Sequence, residues 1–563
     1  MFPQTKHGNV KLIVPSAVTL LAFMVMVAPC FGATPTNDAQ QNAPQMTFRH
    51  AVSFAVSAPL RELAQLPPTY HYGFELEGER EQVMPNFHPG RVLGPAIDPV
   101  EQPSPGPPSS FTTGLSIEGI SNVNNVHPSD VNAAVGDTQI VEWVNVSYAV
   151  YNKSTGALEA GPFDGNLLWQ ALGGPCYNEN DGDVIAQWDK VNHRWLLAQN
   201  FVDEEHHEAA PYYACVAVST SADATGTYYL YQFSLGNAFP DYHKWGIWPT
   251  GYFQTQNTII GGSYVCGYNS AKLIVGDQSA EQICFITSTQ DFTLLPADVD
   301  SPTPPPANQD EFFIGSYDVD QTMNHLYLYS MHVDFANPSQ STFTGSGLAD
   351  PITVPMYTPF CPNQLGRNCI PQDDGAFLSS LGDRLMYRLA YWNDGVPDHV
   401  KPSALPVPSQ HWYVNHVTTA SGGQAGVRWY EFRTPVRTIT ISDISLFQSG
   451  TFAPDSNYRW IGSLAQDKMG DIALGYSLSN STVWTSIGAT GRVPTDPLGQ
   501  MEAETVIVPG TGSQTYYERW GDYSSMAIDA DGCTFWYAQM YYTVPASTNW
   551  QTQLVSMKFN GCH

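Results

Sequence analysis

Positive charge is scarce in this 563-residue sequence, which carries 23 Lys and Arg against 52 Asp and Glu, a formal net charge of −29. Binding nucleic acid needs clustered Lys and Arg to neutralise phosphates, and binding an anionic membrane surface needs the same sign of charge. We therefore expect neither as a partner. The sequence also lacks Gly-x-Ser-x-Gly, His-Glu-x-x-His and nucleotide-binding glycine motifs, which argues against α/β-hydrolase and nucleotide chemistry.

Long apolar runs are absent after the N-terminus, where residues 12–29 follow Lys6 and Lys11 and lead to Cys30-Phe-Gly32. A basic start, an apolar stretch and small residues before a cleavage point are typical of a secretory signal peptide, so we assign 1–33 to one and expect a secreted, extracellular protein. A periplasmic or cell-surface location is an alternative. A membrane anchor or a lipid on Cys30 is less favoured, because the run contains prolines, one of them directly before Cys30. We expect no membrane insertion after the signal is removed, and a monomer.

Cysteine is rare, with nine in the chain and no Cys-x-x-Cys pair, so a zinc ribbon or thioredoxin-type site has no support. Loss of Cys30 with the signal leaves an even number, which in an exported chain predicts disulfides. Sequence order favours local pairing: Cys176–Cys215, Cys266–Cys284, Cys361–Cys369 and Cys533–Cys562.

Charged residues make up 13% of the chain, while 46 Gly and 43 Pro are present, a composition that suits many short strands joined by turns. Residues 34–111 are Pro-rich and lack apolar periodicity, so they predict a disordered linker or propeptide, with 46–56 as a short helix or strand. From 112 to 563 apolar and small residues alternate with period two, as in GDIALGYSLS (470–479), which predicts an all-β domain.

Turns recur in the β region. Asp189-Lys-Val-Asn192, Asp467-Lys-Met-Gly470 and Asp529-Ala-Asp-Gly532 share an Asp that can cap the turn and a final residue that accepts positive φ. Repeated units of this kind predict a β-propeller. Seven blades fit best, with starts near Ser129, Asp183, Asp241, Glu311, Asp383, Asp455 and Glu518. Six or eight blades and a sandwich array are alternatives, and 111–120 is predicted to pair with the last blade.

Several long motifs carry a resemblance: PSDVNAAVGDTQIVEWVNVSYAVYNKSTG (128–156), FPDYHKWGIWPTGYF (239–253) and RWGDYSSM…DGCTFWY (519–537). With these motifs the chain resembles a largely uncharacterised group of secreted bacterial proteins with predicted propeller folds. The resemblance covers about 112–563 and implies fold and export. A distant likeness to sialidase propellers is weaker, because Asp529 lies three residues before Gly532 where the Asp-box has two. No sialidase residue is therefore transferred.

Two clusters raise the question of a metal. DEEHHE (203–208) contains metal-ligating residue types without regular spacing, so an acidic hairpin loop is favoured. NENDGD (178–183) resembles a calcium loop only in composition, because the first position of the frame is Tyr177. We expect no cofactor, although structural calcium is compatible with the composition.

Acidic residues recur where the predicted blades begin, together with basic ones. In propellers these positions surround the mouth of the axis, where crowded carboxylates raise one another's pKa and arginines hold others ionised. Paired carboxylates in unequal environments are what glycoside hydrolysis uses. We predict Asp383, Asp522 and Glu518 as catalytic residues, and as ligand-binding residues Asp183, Asp241, His243, Arg384, Asp455, Arg459 and Arg519. Asp130, Asp310, Glu311 and Lys244 are expected at the same mouth.

The predicted function is binding of a glycan or polysaccharide at this acidic, Arg-lined mouth, with glycoside hydrolysis as its chemistry. One alternative is a non-catalytic surface, adhesion or protein-binding propeller. A second is a polysaccharide lyase using a Tyr or His base. The tryptophans of Lys244-Trp245, Arg459-Trp460 and Arg519-Trp520 are either packing between blades or sugar-stacking platforms, and packing is favoured.

Overall fold

Nearly all of the regular structure is β-strand, as the alternating sequence predicts. The structure, a computed structural model, describes residues 45–63, 65–70, 98–202, 210–258, 262–287, 293–316, 324–345, 351–361, 366–382, 384–395 and 409–563. Four strands precede the repeated part of the chain: β1 Gln45–His50, β2 Ser53–Val56, β3 Glu101–Gln102 and β4 Phe111–Ser121. The described helices are short: α1 Leu60–Leu63, α2 Pro175–Asn178, α3 Ser270–Leu273, and the 3-10 turns Gly165–Trp169, Pro338–Gln340 and Ile441–Asp443.

The first three repeated units are antiparallel meanders of four strands. The first contains β5 Asn132–Val135, β6 Gln139–Val144, β7 Ser147–Asn152 and β8 Leu158–Asp164. The second contains β9 Ile185–Asp189, β10 Arg194–Phe201, β11 Tyr212–Ser219 and β12 Tyr228–Gly236. The third contains β13 Asp241–Trp248, β14 Gly251–Asn257, β15 Ser263–Tyr268 and β16 Glu281–Ile286. In each meander the strands pair in chain order.

Two further meanders are joined into one ten-stranded sheet. One contains β17 Leu295–Val299, β18 Glu311–Gly315, β19 His325–His332 and β20 Thr342–Gly345, with β21 Ile352–Thr353 also paired to β19. The other contains β22 Met386–Asn393, β23 Ser409–Thr419, β24 Ala425–Pro435 and β25 Ser445–Phe452. The first strands of the two meanders, β17 and β22, pair in parallel, and β3 pairs in parallel with β25.

Two sheets complete the described chain. The first contains β26 Tyr458–Gln466, β27 Ile472–Asn480, β28 Val483–Arg492 and β29 Thr505–Val508. The last contains β30 Ser525–Ile528, β31 Thr534–Tyr541 and β32 Gln551–Phe559. Its fourth strand is β4, which pairs antiparallel with β32. The prediction that 111–120 pairs with the last unit is therefore confirmed.

The segment predicted as a linker is partly folded, which corrects the sequence analysis. β1 extends the sheet of β16, and β2 extends the sheet of β12. Leu60 and Leu63 of α1 are buried in the core. β1 and β2 lie where the sequence predicted a short helix or strand, at 46–56. Their pairing with these sheets was not predicted, because a strand added at a sheet edge needs backbone pairing more than a long apolar pattern. Residues 71–97, which include most of the Pro-rich stretch, lie outside the described residues.

The position of the fourth predicted unit is also wrong. Glu311 begins β18, the second strand of its meander, whereas the first strand is β17, which starts at Leu295. This strand has only five residues and includes Pro296. Such a sequence predicts a loop, because proline removes a backbone donor. Asp310 and Glu311 therefore stand at the start of a second strand, unlike the acids that precede first strands.

Cores lie between successive sheets, so both faces of many strands are buried. In β27 every residue from Ile472 to Ser479 is buried. Large residues face small ones across these interfaces, as the alternation predicts. A Cβ on Gly475 would lie 2.5 Å from Cε1 of Tyr537, so the Tyr537 ring occupies the space that the missing side chain leaves.

The repeated turns have the predicted geometry in two of three cases. Gly470 and Gly532 have φ of 85° and 68°, the left-handed region that glycine reaches without a Cβ clash. In the turn that begins at Asp189, positive φ falls on His193, at 51°, one residue beyond the predicted Asn192. Asp189 still caps the turn, because its Oδ1 accepts from the amides of Val191 and Asn192 at 3.0 and 2.9 Å.

All four predicted disulfides are formed: Cys176–Cys215, Cys266–Cys284, Cys361–Cys369 and Cys533–Cys562. Each closes a local part of the chain, and the last joins the turn before β31 to the C-terminus. Among the described residues no helix is long and apolar enough to cross a membrane.

Candidate functional site

Aspartates stand at or just before the first strands of four sheets. Asp130 and Asp183 lie two residues before β5 and β9, Asp241 begins β13, and Asp522 lies three residues before β30. Asp130, Asp183 and Asp522 have positive φ, at 48°, 49° and 55°, a conformation that Asp tolerates better than most residues. An aspartate in the left-handed conformation therefore precedes three of these strands, β5, β9 and β30.

These aspartates form one group with nearby cations and tyrosines. The Tyr523 hydroxyl lies 3.4 Å from Oδ2 of Asp130 and 3.4 Å from Oδ1 of Asp183. Its one proton can be donated to only one of them at a time. We call the group the Asp130 cluster, and its members are Asp130, Asp183, Asp241, Tyr242, Lys244, Arg384, Arg519, Asp522 and Tyr523.

Lys244 is the central cation of the cluster. Its ammonium lies 3.6 Å from the ring centroid of Tyr242 and 4.1 Å from that of Tyr523, distances at which a cation is attracted to an aromatic face. It also donates to the carbonyl oxygen of His243 at 3.0 Å. The Arg384 guanidinium lies 4.8 Å from the Tyr242 ring centroid. The Tyr242 ring therefore attracts both Lys244 and Arg384, and the Tyr523 ring attracts Lys244.

Burial and mutual repulsion change the acidity of the cluster. Burial, followed by the negative charges of Asp522 and Asp183, raises the pKa of Asp130 well above its usual value. Burial and the charge of Asp183 raise the pKa of Asp241 to about 7. Burial lowers the pKa of Lys244 to about 8, although Asp183, Asp130 and Asp241 act in the opposite direction. Burial therefore brings the pKa values of Asp241 and Lys244 close to neutral pH.

Four aspartates face three cations in the cluster, because Arg519 forms an ion pair with Asp522 and Lys244 and Arg384 supply the others. One negative charge is in excess when every group is ionised. Oδ1 of Asp130 is buried and has no hydrogen-bond partner. Only Asp183 is partly exposed among the four aspartates, whereas Asp130, Asp241 and Asp522 are 2–3% exposed.

His243, predicted as a ligand-binding residue, is buried and contacts the backbone of the cluster. Its Nδ1 accepts from the Trp245 indole at 2.9 Å, and its Nε2 bonds the carbonyl oxygen of Asp183. Burial lowers the pKa of His243 to about 4, so the ring is neutral near pH 7 and its Nε2–H is the donor. The bond to Trp245 fixes the orientation of the His243 ring, and the Nε2–H of that ring fixes the backbone at Asp183.

The remaining predicted residues are placed differently. Arg459 pairs with Asp455 at 3.0 Å and with Glu504 at 2.7 Å, a local network at the start of β26. Glu518 is partly exposed and lies 3.8 Å from Arg367. Asp383 and the DEEHHE stretch lie outside the described residues. The predictions for Asp383, Asp455, Arg459 and Glu518 as site residues therefore stay predictions.

The tryptophans of the basic–Trp pairs are packing residues. Trp245, Trp460 and Trp520 are each at most 1% exposed, and the rings of Trp460 and Trp520 lie 6.3 Å apart. The packing alternative is confirmed, and these rings offer no surface for a sugar.

A second ionic group, which the sequence analysis missed, lies on β17 and β22. Arg388 bonds Asp298 at 3.0 Å, pairs with Asp300, and donates to the carbonyl oxygen of Met526 at 3.1 Å. Lys190 bonds Asp300 at 2.8 Å. We call Lys190, Asp298, Asp300 and Arg388 the Arg388 cluster.

The sequence did carry one signal for the missed tyrosines. Asp-Tyr occurs both at Asp241-Tyr242, where β13 begins, and at Asp522-Tyr523, before β30. Nothing comparable marks Asp298, Asp300 and Arg388, because their partners are distant in the chain. Within the described ranges, no group of three or more His, Cys, Asp or Glu side chains is arranged to hold a metal ion.

The chain matches no protein-family model and no curated protein. Among solved structures it is similar to a protein of unknown function from Dyadobacter fermentans, at 9% identity and a TM-score of 0.36 over 80% of this chain and 100% of that one. An endo-arabinase from Bacteroides thetaiotaomicron aligns at 10% identity and a TM-score of 0.24, over 58% of this chain and 93% of that one.

An ulvan lyase from a new polysaccharide lyase family aligns at 12% identity and a TM-score of 0.23, over 77% of this chain and 80% of that one. At these values the likenesses carry no functional argument, so the function must be argued from the residues of this chain.

Proposed function

We propose that the protein is a secreted, seven-bladed β-propeller that binds a glycan or polysaccharide at the mouth of its axis. The consecutive meanders would be the blades, and β4 would supply the missing strand of the last one. Pairing of an N-terminal strand with the C-terminal sheet supports this proposal, because it joins the two ends of the repeated region. Four disulfides support export, and we propose that the secreted form is a monomer.

The Asp130 cluster is the observation that carries the proposed site. Aspartates from four sheets meet there with Lys244 and two arginines, and Asp183 is accessible to solvent. Carboxylates and guanidinium groups suit the hydroxyls of a sugar, because they accept and donate charge-assisted hydrogen bonds. We propose that Asp183 contacts the ligand first, with Arg384 and Asp241 behind it.

Glycoside hydrolysis is the chemistry that the cluster supports best. It needs one carboxyl that keeps its proton and a second that is ionised, separated by about 5–9 Å. Asp241, whose pKa is about 7, suits the acid, and Asp183, the partly exposed aspartate of the group, is the proposed second carboxyl. We propose that Asp522, predicted as catalytic, supports this pair, and its ion pair with Arg519 is the contact that supports this role.

The lyase alternative is less favoured for Tyr523. Burial and the charges of Asp130, Asp183 and Asp522 raise the pKa of Tyr523 well above its usual value, so the phenol keeps its proton and is a poor base. Non-catalytic binding is favoured by one observation. Asp241 is 3% exposed, so a glycosidic oxygen would reach it only if the site opened on binding.

The test uses the purified secreted protein with soluble plant, algal and bacterial polysaccharides, and measures both retention in affinity gels and release of reducing ends. The variants are Asp183→Asn, Asp241→Asn and Asp522→Asn. Asp310→Asn is the matched control, because the sequence placed Asp310 at the same mouth whereas it pairs with His332 beside β18. Folding of every variant is checked by thermal unfolding.

A hydrolase predicts a loss of turnover of at least about 100-fold for Asp241→Asn, with folding retained. Binding without cleavage predicts no reducing ends at all, and weakened retention for Asp183→Asn. If wild type neither retains nor cleaves any polysaccharide, while the three variants change only the melting temperature, the glycan proposal is wrong and the cluster is structural.

A further inference from the structure

Three exposed aromatic residues lie on chain segments that contact one another. Six Phe, Trp or Tyr residues among the described positions are strongly exposed. Three of these lie on segments joined by backbone hydrogen bonds, two on loops and one at the start of β28. Phe377 is 56% exposed, Trp484 is 37% exposed and Tyr516 is 76% exposed. We call these three residues the aromatic platform.

Hydrogen bonds of two buried glutamines join the chain segments that carry the platform. The Gln372 amide donates to the carbonyl oxygens of Ala376 and Gln514 at 2.7 and 2.9 Å. The side-chain oxygen of Gln372 accepts from the backbone amide of Gln514 at 3.1 Å and from the Thr485 hydroxyl at 3.4 Å. Each aromatic residue is therefore within two positions of a cross-linked residue. A fixed backbone lowers the entropy that ordering on binding would cost.

The backbone that carries the platform continues into the Asp130 cluster. The side-chain amide of Gln514 donates to the carbonyl oxygens of Tyr517 and Arg519 at 2.7 Å each. The ring of Tyr517 lies 4.3 Å from that of His127, three residues before Asp130. The segment that carries Tyr516 is thus hydrogen-bonded to Arg519 of the Asp130 cluster and packs on the segment that leads to Asp130.

The surroundings of the platform favour a sugar over a protein partner. Exposed polar residues separate the aromatic ones, among them Asp374, Thr482 and Thr515. A pyranose has an apolar C–H face and a rim of hydroxyls, so it matches rings surrounded by hydrogen-bonding groups. A protein interface would be expected to cover a continuous apolar core.

We propose that Phe377, Trp484 and Tyr516 form a set of stacking subsites that hold successive sugar rings of an extended polysaccharide leading to the Asp130 cluster. The proposal rests on the proposed glycan function and adds to it that the ligand is a chain of several residues. A mono- or disaccharide would reach the cluster without touching the platform.

The test compares Phe377→Ala, Trp484→Ala, Tyr516→Ala and the triple variant with wild type in native affinity gels. The gels contain xylan, arabinan, laminarin or alginate, each as a polymer and then with an excess of its oligomers of two and six residues as competitors. Phe48→Ala is the matched control, because Phe48 is an exposed aromatic residue on β1. Sedimentation velocity records the oligomeric state.

We expect each single substitution to weaken retention about three- to tenfold, the triple variant to lose it, and Phe48→Ala to match wild type. Hexamers should compete at concentrations at least tenfold lower than dimers. If Asp183→Asn loses retention and the platform variants do not, the platform proposal is wrong while the glycan proposal stands. If wild type is retained by no polymer, both are wrong. A wild-type dimer that the triple variant converts to monomer would assign the platform to self-association and overturn the proposal.

Discussion

The Asp130 cluster and the Arg388 cluster are both buried and ionic, but they differ in balance. In the Arg388 cluster two cations face two aspartates, and Arg388 uses all three of its nitrogens. In the Asp130 cluster four aspartates face three cations, and one carboxylate oxygen of Asp130 has no partner. One group has its charges matched by its own partners, and the other does not.

This difference separates structural from functional roles for buried charge. A matched network gains rigidity from every member, and removal of one member leaves an unpaired buried charge. An unmatched network holds protons at neutral pH and has capacity for a further donor, such as a ligand hydroxyl. The comparison therefore predicts that substitutions in the two clusters will differ both in size and in pH dependence.

The largest effect is expected for Arg388→Met. It leaves Asp298 and Asp300 buried with Lys190 as their one remaining cation, so we expect a loss of about 3–5 kcal/mol in the free energy of unfolding, measured in urea at pH 7. Arg437→Met, which breaks the exposed pair with Asp443, is the control and should cost less than about 1 kcal/mol. Equal costs for the two variants would contradict the structural role of Arg388.

A smaller effect that varies with pH is expected for Lys244→Met. At pH 7, below the pKa of about 8 at which Lys244 loses its charge, the variant removes the central cation from a group whose carboxyls are partly ionised, and we expect a loss of about 2–3 kcal/mol. At pH 5 the loss should be about 1 kcal/mol, because the raised pKa values of Asp130 and Asp241 let them take up protons. Urea unfolding at both pH values measures the difference. A cost that does not depend on pH would show that the aspartates do not titrate as described.

Gly532→Val provides a comparison outside both clusters. The residue needs positive φ, at 68°, and a Cβ there would lie 3.3 Å from Cδ of Lys468. We expect a destabilisation of about 1–3 kcal/mol from backbone strain, with no dependence on pH between 5 and 8. Gly561→Val, where a Cβ meets nothing within 4 Å, is the control for thermal unfolding and should be close to neutral.

Asp241→Asn is expected to have an effect of the opposite sign at high pH, where the substitution stabilises the protein. Because the pKa of Asp241 is raised to about 7 in the folded protein, its contribution to stability is present below pH 4 and is lost as the pH rises through 7. The amide removes this loss. Relative to wild type, the variant should therefore be more stable at pH 8 than at pH 4, as measured by melting temperatures across that range.

The sequence predicted best those features that depend on nearby residues. Gly470 and Gly532 mark turns because positive φ is a local requirement, and cysteines close in sequence pair because the intervening chain is short. The burial of Asp130 could not be read in this way, because its partners Asp183, Asp522 and Tyr523 come from other sheets. Only the arrangement of the sheets brings them together.

Misplaced features have a similar physical cause. β17 was missed because Pro296 and the short strand length mimic a loop, whereas pairing on both sides, with β18 and β22, stabilises the strand. The sheets that β1 and β2 join were not predicted, because their partner strands β16 and β12 are distant in the chain. Local propensity is weak evidence where tertiary pairing supplies the hydrogen bonds.

The pairing of β4 with β32 has a consequence for the timing of folding. Phe111 pairs with Phe559. The backbone hydrogen bonds between β4 and β32 can therefore form only after both of these distant strands are in place. Contacts this distant in sequence slow folding, because the entropy of closing the intervening chain is lost before the contact forms.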